Sequence, residues 1–67
     1  MLTVIVTRYN QQKAIGLPAV KTLTPKTARI ALGLAFGEAT DGEVWDNRAG
    51  YGYHIYPNTA RKLHKGE

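Results

Sequence analysis

The sequence predicts an α+β domain, one helix packed on an antiparallel sheet, in the order β-β-α-β-β. Three observations carry this. A β-branched run opens the chain, a capped apolar helix pattern fills the middle (about 24–40), and an aromatic hairpin follows (about 43–56). With 67 residues there is room for a single domain, 1–67, and no more.

Leu2 to Tyr9 is expected as the first strand. Thr3, Val4, Ile5, Val6 and Thr7 suit a pleated surface, with Leu2, Val4 and Val6 on one face and Ile5 on the other. Asn10 to Lys13 is polar and reads as a turn. Ala14 to Leu23 is a weaker strand, interrupted by Gly16 and Pro18, and so belongs at an edge.

The helix has the firmest signals. Thr24 is a suitable N-cap, and Pro25 stands at the first helical position, where its missing N–H costs nothing. Ala28, Ala31, Leu32, Ala35, Phe36 and Ala39 form one apolar face, which Ile30 and Leu34 widen. A narrow stripe of Lys26, Arg29, Gly33 and Gly37 remains, and a stop is expected at Thr40, Asp41 and Gly42. The hairpin arms are Glu43–Asn47 and Tyr51–Tyr56, joined around Asn47–Gly50. Pro57 ends the second arm. Residues 58–67 are expected as a basic tail or a short helix capped by Asn58. The helix crossover is expected to lay the first strand beside a hairpin strand.

Composition narrows the function. Nine Lys and Arg against five Asp and Glu give a net charge of +4, which favours polyanions or an acidic protein surface. Cysteine and serine are both absent, so disulfide scaffolds, zinc fingers and thiol nucleophiles are excluded. The apolar runs are too short for a membrane helix, and no basic stretch precedes the first of them, so neither a membrane span nor a secretory signal is expected. The expected setting is cytoplasmic. His54 and His64 make no metal-ligand spacing, and Asp41, Glu43 and Asp46 do not follow a calcium loop. Neither an enzyme nor a cofactor is expected.

Three stretches carry binding chemistry. Arg48-Ala49-Gly50-Tyr51-Gly52-Tyr53-His54-Ile55-Tyr56 alternates aromatic residues with small ones, which puts Tyr51 and Tyr53 on one sheet face ~7 Å apart. Bases stack on such rings at ~1–3 kcal/mol each. The stretch resembles the aromatic signature of RNA-recognition-motif domains, and a related one in cold-shock domains. Arg48, Gly50, Tyr51, Gly52, Tyr53 and Tyr56 fit; His54 stands in the place of a valine and Ala49 is inserted. The resemblance implies base stacking on Tyr51 and Tyr53. It does not extend to the fold, since one family needs a second helix and the other is all β.

Gly33-x-x-x-Gly37 is the second stretch. Each glycine costs a helix ~1 kcal/mol, so the pair asks for a close-packed neighbour, such as a second copy of the helix in a homodimer. The third is the C-terminus, where Arg61, Lys62 and Lys65 offer positive charge to phosphates. The sequence therefore points to a small nucleic-acid-binding module (DNA or RNA) held by Arg48, Tyr51, Tyr53, Arg61, Lys62 and Lys65. The alternative is an accessory or inhibitor protein that turns the same aromatic hairpin on an acidic partner protein.

Overall fold

A computed structural model describes residues 1–37 and 41–66. The elements are β1 (Leu2–Arg8), β2 (Gln11–Leu17), α1 (Pro25–Phe36), β3 (Gly42–Asp46), β4 (Tyr51–Ile55) and β5 (Ala60–His64). All five strands pair antiparallel in one sheet of order β2-β1-β3-β4-β5. The α+β plan stands, with one strand more than expected. The segment read as a tail or short helix is strand β5, because Arg61 to Leu63 extend along the unfilled edge of β4. The expected neighbour of the first strand is β3.

Alternation sorts the sheet into two faces. Leu2, Val4, Val6, Leu17, Val44 and Ile55 point to α1 and are buried there with Leu23. From the helix, Ala28, Ala31, Leu32 and Ala35 meet them. Three alanines in that set let the helix axis come close to a sheet too small to cover bulkier side chains.

The helix ends are well specified. Thr24 and Thr27 form a reciprocal capping box: the Thr24 hydroxyl accepts from the Thr27 N–H at 3.3 Å, and the Thr27 hydroxyl accepts from the Thr24 N–H at 2.8 Å. Gly37 closes the helix at φ 75°, its N–H donating to the Gly33 carbonyl at 2.8 Å. The stop thus falls earlier than the expected one at 40–42. Ala39 and Thr40 lie outside the described residues. Lys13 from β2 donates to the Ala35 carbonyl at 2.8 Å, where positive charge suits the helix C-terminus. Arg29 donates to the Tyr56 and Thr59 carbonyls, both at 2.9 Å, and so ties the helix to the β4–β5 turn. Among the described residues no helix is long and apolar enough to cross a membrane.

A candidate nucleic-acid interface on the open sheet face

The sheet face opposite the helix has no covering element among the described residues. Cross-strand register builds it in rows. Ala14, Ile5, Trp45, Gly52 and Leu63 lie side by side across all five strands, an apolar row. The adjacent row is polar: Gln12, Thr7, Glu43, His54 and Arg61.

Trp45 is the centre of the apolar row. A Cβ added at Gly52 would stand 2.7 Å from the indole Cδ2 and 2.5 Å from the Val44 carbonyl oxygen. Only glycine lets the indole approach the neighbouring strand this closely. The indole Nε1–H donates to the Glu43 carboxylate at 2.8 Å, which fixes the ring's rotation. The Trp45 side chain remains half-buried, so part of the ring is open to solvent. Beside it Glu43, Arg61, Leu63 and Lys65 help to line a shallow trough of about 510 Å³. Arg61 and Lys65 are exposed and have no ion pair or hydrogen-bonded side-chain partner among the described residues. Lys65 is held in place through its backbone, whose N–H donates to the Gly50 carbonyl at 2.9 Å. On the same face the His54 and Tyr56 rings stack, with centroids 4.3 Å apart and planes 14° from parallel.

The described acidic residues, Asp41, Glu43 and Asp46, are engaged. Glu43 holds Trp45. Asp46 is buried and accepts from the Arg48 and Ala49 N–H groups at 3.2 Å each, closing the β3–β4 turn together with Gly50 at φ 80°. Asp41 lies 3.7 Å from Arg8 Nε. No group of three His, Asp or Glu suited to a metal ion occurs among the described residues.

The residues expected to form the site divide between two faces. Tyr51 and Tyr53 do share a face, and it is the helix side. They pack against the core, edge to face at 6.0 Å, and the Tyr51 hydroxyl donates to the Leu23 carbonyl at 2.7 Å. The inward anchor is Ile55, fully buried, which takes every second residue of β4 in with it. Lys62 sits on that side too, its ammonium 4.8 Å from the Tyr51 ring. Arg61 and Lys65 reach the open face. Arg48 stands apart at the β3–β4 turn, beside Met1, Lys21 and Ala49.

Gly33 and Gly37 have separate explanations. Gly37 is the cap, and nothing lies within 4 Å of a Cβ built on Gly33, next to exposed Ile30 and Leu34. Trp45, Leu63 and the His54–Tyr56 stack belong to this face without being singled out by any sequence motif. The signal was available in Val44, which, once placed inward, turns Trp45 outward.

No family model matches the chain, and no curated protein or solved structure shows significant similarity to it.

Proposed function

We propose that the chain is a non-enzymatic cytoplasmic module that binds single-stranded nucleic acid, DNA or RNA, on the open face of its sheet. The observation that carries this is Trp45, packed against Gly52 and half-buried, with Arg61 and Lys65 beside it. An indole partly open to solvent offers a base its stacking partner, and a base must be unpaired to use it. The two cations then meet the flanking phosphates. The net charge of +4 supports the same reading. Tyr51 and Tyr53 belong, in this reading, to the support of the platform, and Lys62 and Arg48 to the surrounding field.

The single tryptophan makes the test direct. Trp45 fluorescence is followed while short single-stranded and duplex oligonucleotides are added across a salt series. Quenching by single strands, weakening with salt, is expected. Replacing Arg61 and Lys65 by alanine should flatten the log–log salt slope by about 1.4. Trp45→Ala should cost about 1–3 kcal/mol of affinity, read by labelled oligonucleotide, with the slope unchanged. An unquenched Trp45 and no binding at low salt would sink the proposal.

One observation favours a second reading, an accessory protein acting on a partner protein. Ile5, Trp45 and Leu63 form an apolar row, and tryptophan is a common anchor of protein interfaces. Retention of one protein from nuclease-treated lysate, lost in Trp45→Ala and indifferent to salt, would support it.

A further inference from the structure

Among the described residues no strand pairs with the outer edge of β2. β1 and β2 are joined by a two-residue turn, Tyr9–Asn10, with Arg8 opposite Gln11. In such a hairpin the closing pair is hydrogen-bonded, and bonded and non-bonded pairs alternate from there. Gln11, Lys13, Ile15 and Leu17 therefore aim their backbone N–H and C=O groups at β1. Gln12, Ala14 and Gly16 aim theirs outward, and all three residues are exposed.

Sheets ordinarily blunt an edge of this kind with charge, proline or a bulge. The opposite edge, β5, carries Arg61 and Lys62. Within β2 the only charge is Lys13. Its ammonium is drawn inward, to the Ala35 carbonyl and to within 5.0 Å of the Phe36 ring centroid. Pro18 comes only after the strand has ended.

We propose that β2 pairs antiparallel with β2 of a second copy of this chain, about a two-fold axis at Ala14. Ala14 is the midpoint of Gln11–Leu17, and its backbone groups point outward. In this register Gln12 lies opposite the second copy's Gly16, and Lys13 opposite its Ile15. The three outward residues then make about six main-chain hydrogen bonds with their counterparts. No two lysines stand directly opposite, an arrangement that would be unfavourable. A slip by one residue turns the outward groups out of phase, and a slip by two either sets Lys13 against its counterpart or runs Gln12 onto Pro18 and shortens the ladder, so the Ala14 register is favoured. The two-fold axis runs perpendicular to the sheet, and both open faces end on the same side of one ten-stranded sheet. The proposal does not depend on the ligand of the open face.

The test is molar mass in solution over a concentration series, by sedimentation equilibrium, with circular dichroism to confirm that each variant is folded. Ala14 is exposed and its backbone groups take no part in pairing with β1, so substitutions there leave the domain intact. The parent mass should rise two-fold with concentration. Ala14→Lys and Ala14→Glu should each stay monomeric alone, because like charges would meet at the axis. Mixed together, they should regain the doubled mass. A parent that is monomeric throughout would overturn the proposal, and so would a mixture that stays monomeric. A dimer that Ala14→Lys leaves intact would also overturn it, and would move the interface to the helix face of Ile30, Gly33 and Leu34.

Discussion

Gly52 and Trp45 act as one unit at the residue scale. Gly52→Ala would drive a methyl group into backbone on one side and the indole on the other. We expect it to destabilise the domain by about 1–3 kcal/mol, seen as a lower urea midpoint, with a shift in Trp45 emission as the ring lifts. An unchanged emission maximum would mean that the ring does not rest on Gly52. Tyr51 poses the opposite case. Its hydroxyl bonds to the Leu23 carbonyl from a packed position against the core. Tyr51→Phe should therefore lower stability by about 0.5–1.5 kcal/mol in chemical denaturation while leaving oligonucleotide affinity alone. A loss of affinity without a loss of stability would return Tyr51 to the binding face.

The two helix glycines separate at the scale of the element. Gly33 meets open space, so Gly33→Ala should raise stability by up to about 1 kcal/mol through helix propensity. Gly37 holds φ 75°, so Gly37→Ala should lower it by about 1 kcal/mol or more. Thermal unfolding of the pair checks both signs at once, and equal effects would refute the distinction. The same comparison explains what the sequence made legible. Local signals located the helix start (Thr24 and Pro25) and the hairpin turn (Asn47–Gly50); the second strand lies at the edge as expected but runs Gln11–Leu17, so Gln11–Lys13, expected as a turn, is strand and Pro18 falls just beyond it. β5 is not legible locally because its Ala-Arg-Lys-Leu-His run shows no apolar alternation, and its pairing with β4 is a tertiary choice. Which face of β4 points inward was also a tertiary matter. Buried Ile55 carries Tyr51 and Tyr53 inward with it, and alternation alone does not say whether that set or Gly52, His54 and Tyr56 faces the core. Arg61 and Lys65 are candidates whichever face of β5 turns outward, because a charged side chain reaches solvent from either.

At the scale of the whole molecule the sheet consists of two locally wound pieces. β1 and β2 form one hairpin, β3, β4 and β5 form a meander, and the two meet at a single seam of Ile5–Trp45, Val6–Val44 and Thr7–Glu43. Val6 and Val44 are fully buried there beneath the helix. Native-state hydrogen exchange should find the Ile5 and Thr7 amides, which the alternation aims at β3, opening only with global unfolding, and the β5 amides exchanging earlier through fraying. Faster exchange at the seam than in β5 would contradict this arrangement. The seam also sets a schedule for the chain during its synthesis. β2 follows β1 immediately, whereas Glu43 and Val44 follow only after the whole helix has been made. At ribosomal speeds that is a wait of roughly a few seconds. Throughout it the nascent hairpin keeps Val4 and Val6 uncovered by the meander and the β3-side edge of β1 unpaired. The interior position of the first strand, flanked by β2 and β3, thus makes the newborn chain, before Asp46 has emerged, the form most exposed to chaperones and to mispairing.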